Sequence, residues 1–238
     1  MQDEQKKVIG VLGGMGPLAT QIFYGMVIEN TAAGCDQDHI DMIILSSASI
    51  PDRTEALLSG KTEPLYEALL KGCALLERSG AGFIVIPCNT SHFFADRLQS
   101  DVKIPIINMI REAAFAVSPA GKKGMRVGIL ATTGTISTGL YQAELIKAGH
   151  IPFVPSDDNQ KLVMKIIYDG IKGGGEIDPG DFQKIEKELI DAGCERAIMG
   201  CTELSCFMKM YSLPDDFYFD AMKTLALKAI AAAGGRVK

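Results

Sequence analysis

An internal repeat constrains this chain more than any other feature. Residues 8–20 and 126–138 align without gaps, with Gly10, Leu12, Gly16 and Thr20 falling on Gly128, Leu130, Gly134 and Thr138. Residues 80–94 and 193–207 align in the same way, with Gly80, Cys88 and Phe94 falling on Gly193, Cys201 and Phe207. Both pairs occur in the same order, and each begins on an apolar run and ends in a helical pattern. A duplicated unit of this kind restricts the fold to two similar halves. It also puts one cysteine at the same point of each half, just after a buried strand and just before a helix.

Within each half, short β-branched runs alternate with helical stretches. In the first half, residues 7–12, 41–45, 82–87 and 104–107 read as strands, bounded by glycine or followed by helix. Helices are expected over 17–33, where Pro17 sits in the first turn, over 63–79, and from Thr90 onward. In the second of these, Leu65, Leu69, Leu70, Cys73 and Leu76 form one apolar stripe. The Gly/Lys-rich stretch 117–124 reads as a linker. The second half then gives strands over 126–130, 151–154 and 196–199, and helices over 135–148, 159–172, 182–192 and 202–210. An Ala/Leu-rich helix over 223–233 closes the chain. Alternation of this type predicts an α/β fold with parallel-type sheets covered on both faces. The expected architecture is two similar α/β domains related by pseudo-two-fold symmetry, 1–117 completed by the C-terminal helix 221–238, and 118–220.

Charge and cysteine usage narrow the function classes. The net charge is −5 and the longest basic runs are paired lysines, which argues against a nucleic-acid or membrane-surface binder. No run of apolar residues is long enough to span a bilayer, and the N-terminus lacks the apolar core of a secretion signal. Six cysteines without a short-spaced framework read as reduced thiols, so a cytoplasmic location is expected.

The two repeated cysteines carry the chemistry. In open parallel sheets, ligands bind beyond the carboxyl ends of the strands, where Cys88 and Cys201 are expected to lie. Unpaired N–H groups and the helix dipole would favour the thiolate at both positions. If the two carboxyl ends face one cleft, two sulfurs approach a ligand from opposite sides. That suits racemisation, in which one group removes a proton from Cα and its counterpart returns one to the other face. The resulting carbanion needs donors aimed at the carboxylate. Candidates are the turn around Met15 in Gly13-Gly14-Met15-Gly16, its counterpart around Thr133, the Asn89, Thr90 and Ser91 side chains, and Thr202. The plainer reading of a cysteine in an α/β core is a packing residue, favoured for Cys35, Cys73, Cys194 and Cys206. Cys88 and His92 are spaced to share a metal, but no further ligands are spaced to complete the site. The glycine turn lacks both nucleotide-binding spacings. His39 and His150 read as surface or packing residues.

Taken together, GGMGP at 13–17, DQDH at 36–39, IPDRT at 50–54, PCNTSH at 87–92, ATTGT at 131–135 and GCTEL at 200–204 resemble the aspartate/glutamate racemase superfamily, and within it the aspartate racemase branch. The resemblance implies two α/β domains facing each other across the active site, without pyridoxal phosphate or metal. It implies Cys88 and Cys201 as the catalytic thiols, and Arg53 and Lys172 as cationic contacts for two carboxylates. Asn89, Thr90 and Ser91 would line the α-carboxylate side and Thr202 the opposite wall, with Met15, Thr133 and Glu203 completing the substrate site. Ser46-Ser47-Ala48-Ser49 departs from the asparagine and Pro-Gln of many relatives, next to the expected substrate site.

The expected activity is cofactor-independent conversion of L-aspartate to D-aspartate, with a small dicarboxylic amino acid as the only ligand and a homodimer as the assembly. A glutamate or broad-specificity racemase, another isomerase or a decarboxylase of the same type, a non-catalytic dicarboxylate-binding relative, and a redox protein cycling a Cys88–Cys201 disulfide are the alternatives.

Overall fold

In the computed structural model, which describes residues 6–238, the chain divides into two compact units. One runs up to Met109 and takes in Met222–Lys238, and the other is Ile110–Ala221.

The first unit contains β1 (Ile9–Gly13), α1 (Pro17–Asn30), β2 (Met42–Ser46), α2 (Arg53–Ser59), α3 (Glu63–Arg78), β3 (Phe83–Val85), α4 (Ala95–Asp101) and β4 (Ile106–Ile107). Its sheet is parallel, in the order β2-β1-β3-β4. Every residue of β1 and β3 is buried, the condition of central strands covered on both faces. The predicted stripe of α3 packs inward: Leu65, Leu69, Cys73 and Leu76 are buried, while Leu70 is half-buried against the same core. Each fully buried leucine of that stripe contributes ~2 kcal/mol.

The second unit begins one residue into α5 (Met109–Ala116) and runs through β5 (Arg126–Leu130), α6 (Thr133–Ser137), α7 (Leu140–Lys147), β6 (Ile151–Phe153) and α8 (Asp157–Lys165). A π-helix (Ile166–Lys172), α9 (Pro179–Asp191), β7 (Arg196–Met199), α10 (Thr202–Tyr211) and β8 (Tyr218–Asp220) follow. Its sheet is again parallel, in the order β6-β5-β7-β8, so it repeats the strand order of the first. The matched glycines both sit where a side chain would collide. A Cβ on Gly10 of β1 would lie 2.7 Å from the Ala81 Cβ in the segment joining α3 to β3, and one on Gly128 of β5 would lie 2.7 Å from a Leu189 methyl of α9. Glycine in each central strand therefore leaves room for a neighbour, the α3–β3 connection in one unit and the covering helix in the other.

After β8 the chain re-enters the first unit as α11 (Ala221–Ala232). Lys7 donates its N–H to the Ala233 carbonyl at 3.0 Å, Ala32 to Arg236 at 2.8 Å, and Thr31 bridges Val237. Among the described residues, no helix is long and apolar enough to cross a membrane.

Several elements differ from the sequence expectation. The helix predicted over 135–148 is two helices broken at Gly139, whose φ is +67°. The helix predicted over 159–172 starts at Asp157 and changes to π-helix at Ile166. The segment after Cys88 begins as a 3₁₀-helix, Thr90–Phe94, before α4. The short elements α2 and β8 carry too few residues for periodicity to reveal them.

Candidate active site

In the first unit the candidate residues gather at the carboxyl ends of β1, β2 and β3. Gly14 has φ +90°, and a Cβ there would lie 2.3 Å from the Ser47 nitrogen. The turn after β1 thus presses directly on the backbone that follows β2, which a side chain would prevent. Ser47 donates its N–H to the Gly13 carbonyl at 3.1 Å, holding the two loops together. Asp52 caps α2 by accepting the Glu55 N–H at 2.9 Å, which sets Arg53 on the first turn. The Arg53 guanidinium donates to the carbonyls of Pro51 at 3.0 Å, Ile50 at 3.3 Å and Met15 at 3.5 Å. Arg53 and Met15 are therefore neighbours although they are distant in sequence.

Cys88 follows β3 through a tight turn in which its N–H reaches the Ile86 carbonyl at 2.7 Å. Cys88, Asn89, Thr90 and Ser91 are all buried, and the Ser91 hydroxyl donates to the Met15 sulfur at 3.4 Å. The structure so joins Met15, Arg53 and Ser91 into one cluster. His92 is engaged on both ring nitrogens. Nε2 accepts the Met109 N–H at 3.1 Å, so in the neutral ring Nδ1 carries the proton and donates to the Cys88 carbonyl at 2.9 Å. The ring fixes the backbone of Cys88 and has no lone pair left for a metal shared with that residue. Among the described residues, no group of three or more His, Cys, Asp or Glu is placed to hold a metal ion.

In the second unit the equivalent strand ends carry Thr133 and Cys201. Gly200, immediately before the thiol, donates its N–H to the Leu130 carbonyl at 2.7 Å. A Cβ on Gly200 would lie 2.9 Å from the Tyr141 ring. Cys201 is the N-cap residue of α10. Its Sγ donates to Glu203 Oε2 at 2.9 Å, and the Thr202 hydroxyl donates to the same oxygen at 3.2 Å. The other Glu203 oxygen lies 3.9 Å from Lys172 Nζ. The Lys172 ammonium also sits 4.3 Å from the centre of the Tyr168 ring. Lys172, Cys201, Thr202 and Glu203 thus form a second cluster. Tyr168, four residues before Lys172 on the π-helix, was not among the residues singled out from the sequence; the spacing of the pair was its only available mark.

The electrostatics of Cys201 correct the expectation of a thiol pulled toward thiolate by its helix. Burial and the adjoining Glu203 carboxylate push the Cys201 thiol well up, against a smaller lowering by Lys172. A single helix terminus cannot offset removal from water beside an anion. The packing thiols Cys73 and Cys206 are pushed up by burial to about 12, and Cys194 to about 11.

The backbone cradles are also more self-contained than the sequence implied. The Gly14 N–H donates to the Thr20 hydroxyl at 2.8 Å, and the Thr135 N–H to the Thr132 hydroxyl at 3.1 Å. The Thr133 N–H points at the Met164 sulfur, 3.2 Å away. A cavity of about 590 Å³ opens beside Thr133 in the second unit, lined also by Gln160, Met164, Lys165, Tyr168 and Asp169. Of the candidate site residues only Thr133 lines it, and Cys201 and Lys172 do not.

Known proteins resemble this chain in sequence and in fold. Over 164 residues, 67% of the chain and 69% of the relative, the sequence is 29% identical to the broad specificity amino-acid racemase RacX of Bacillus subtilis. The aspartate racemase of Picrophilus torridus is similar in structure, with a TM-score of 0.82 and 29% identity, covering 98% of this chain and 96% of that one. An aspartate racemase homologue from Pyrococcus horikoshii gives a TM-score of 0.75 and 26% identity, covering 96% and 99%. Residues 12–225 match the family described as Asp/Glu/Hydantoin racemase. With repeated sheets, repeated cysteines and a family match that takes in both of them, the chain belongs to the Asp/Glu/hydantoin racemase family.

Proposed function

We propose that this protein is a cofactor-independent amino-acid racemase that interconverts L- and D-aspartate, with Cys88 and Cys201 as its two acid–base groups. The observation that carries the reading is the equivalence of the two thiols. Each is buried and follows the third strand of its own unit, β3 or β7, and the two are matched in the sequence repeat. One thiolate removes the Cα proton, and the electron pair moves into the substrate α-carboxylate. The other thiol delivers its proton to the opposite face, and the enzyme is left with its thiol and thiolate exchanged. Solvent then resets the two protonation states.

Two cations support a dicarboxylic substrate. The Arg53 fork is held by three backbone carbonyls, and a carboxylate is a stronger acceptor than any of them. Lys172 supplies the second positive charge. Asn89, Thr90 and Ser91, with Met15, are assigned to substrate contacts from the first unit, and Thr202, with Thr133, to contacts from the second. Similarity to RacX, named for broad specificity, favours a wider substrate range as the second reading. The exposed apolar side chains Leu18, Tyr24 and Ile28 of α1 support a homodimer, which sedimentation would test.

The deciding experiment is incubation of the purified protein with each enantiomer of aspartate and glutamate in heavy water, without added cofactor. Appearance of the opposite enantiomer carrying deuterium at Cα is the expected result for aspartate. Racemisation of all four at similar rates would favour the broad-specificity reading, and no exchange with any would overturn the racemase reading.

A further inference from the structure

The repeat that pairs the two cysteines also exposes a difference between them. In the alignment that sets Cys88 on Cys201, Glu203 falls on Thr90. One half therefore carries a buried carboxylate two residues beyond its thiol, where the other carries a neutral hydroxyl. The carboxylate is engaged: Oε2 accepts from the Cys201 thiol at 2.9 Å and from Thr202 at 3.2 Å, and Oε1 faces Lys172 at 3.9 Å. A carboxylate that accepts a hydrogen bond from a thiol stabilises the thiol, because a thiolate in its place would put two anions together.

We propose that Glu203 is a positioning residue that makes the two thiols unequal, holding the resting proton on Cys201 so that the first proton taken from a substrate goes to Cys88. This rests on the racemase reading above and adds a direction to it. From rest, the Cα–H bond breaks toward the Cys88 sulfur, and Cys201 gives its proton to the opposite face. That leaves a Cys201 thiolate beside the Glu203 carboxylate. Lys172 is placed to limit the cost of this second anion, and the opposite enantiomer is processed from that state. Among the described residues, Glu203 on α10, Lys172 on the π-helix and Tyr141 on α7 act on Cys201, while Asp220 at the end of β8 acts on Tyr141 and on Cys206. Glu203 favours the thiol, Lys172 opposes it, and burial acts with Glu203.

The test is site-resolved alkylation of the full-length protein with iodoacetamide, read by peptide mass spectrometry, because the thiolate is the reacting form. Cys88 and Cys201 have the same residue exposure, 6%, and comparing Glu203→Gln with the parent holds burial constant while removing the charge. Wild-type protein is expected to be alkylated faster at Cys88. Glu203→Gln keeps the side-chain shape and removes the charge; it should speed alkylation of Cys201 at neutral pH about tenfold, because a larger fraction is thiolate, and leave Cys88 unchanged. Lys172→Met should move Cys201 the other way. The opposite signs separate electrostatics from a loosened fold, which would speed both. An unchanged Cys201 rate in Glu203→Gln, or equal acceleration at both cysteines, would overturn the proposal. Turnover gives a second readout. Because the two enantiomers are equally stable, kcat/KM must be equal for both, so unequal thiols show as kcat and KM values that differ in parallel between directions. Glu203→Gln should narrow that difference, and an unaltered difference counts against the proposal. Alkylation needs no turnover, so a protein that racemises nothing would sink the racemase reading while the labelling still reports whether Glu203 holds the proton.

Discussion

A methyl group on Gly14 would meet the Ser47 nitrogen at 2.3 Å and its carbonyl carbon at 2.5 Å, with the backbone at φ +90°. Two costs are therefore expected in Gly14→Ala. The positive φ costs ~1–2 kcal/mol for any residue with a Cβ. The collision costs a further ~1–3 kcal/mol, because the opposing atoms are main chain and cannot rotate away. The sum is roughly 2–5 kcal/mol. Gly60, in the same unit, supplies the control: it ends α2 at φ +72° with nothing within 4 Å of its Cβ position. Gly60→Ala should cost only the first part. Urea unfolding followed by far-UV circular dichroism measures both variants against the same parent, and the gap between them isolates the contact with Ser47. A functional consequence accompanies the larger loss. Ser47 opens the loop that leads to Ile50, Pro51 and Arg53, and Arg53 reaches back to the Met15 carbonyl. Displacing that loop should raise KM for aspartate in Gly14→Ala more than in Gly60→Ala. Equal destabilisation of the two variants would refute the argument that close approach, and not backbone conformation alone, requires glycine here.

Cys88→Ser and Cys201→Ser should each lose about a hundred- to ten-thousandfold in turnover with an unchanged circular dichroism spectrum, and near-parental racemisation by either would end the two-thiol mechanism. Arg53→Ala should weaken dicarboxylate binding roughly ten- to a hundredfold, the scale of a charge-assisted hydrogen bond, read as KM for aspartate; unchanged aspartate kinetics would remove Arg53 from the site. Stability should fall in alkali. Cys73 and Cys206 titrate at about 12 in the folded protein against an ordinary value of 9.0, so above pH 9 the unfolded chain loses protons that the folded one keeps. Stability is fully present below that point and declines as pH rises toward 12, by ~1.4 kcal/mol per pH unit for each thiol. Urea midpoints across this range should show a shallower slope for Cys73→Ala.

The parts of the fold that were legible in the sequence are those whose burial leaves a one-dimensional trace. Fully buried β1, the buried run Val127–Leu130 of β5, and the Leu65–Leu69–Leu76 stripe of α3 write their environment into consecutive or periodic apolar residues. The break at Gly139 and the change to π-helix at Ile166 leave no such trace. Both depend on where the backbone must turn in three dimensions. Around the π-helix the constraint is steric, since a Cβ on Gly173 or Gly175 would lie 2.7 Å from the Asp169 carbonyl oxygen. The site divides in the same way. The repeat exposed Cys88 and Cys201, and the motifs exposed Arg53. The raised titration of Cys201 could not be read, because it depends on the side-chain path of Glu203 and on an ammonium thirty-one residues earlier in the chain. Nor could the sequence reveal that His92 spends both nitrogens on main chain, which needs the position of Met109.

The return of Met222–Lys238 to the first unit has a bearing on synthesis. Leu225, Ala226, Ala229 and Ile230 of α11 are wholly buried, so the first unit lacks part of its interior until that helix has left the ribosome. The middle segment Ile110–Ala221 has by then emerged complete. The usual order, in which the N-terminal unit folds first, is therefore reversed: the inserted unit can assemble while its predecessor waits, with β1 and β3 formed around an unfilled core. A stalled or clipped chain lacking α11 should lose the Cys88 half and keep the Cys201 half.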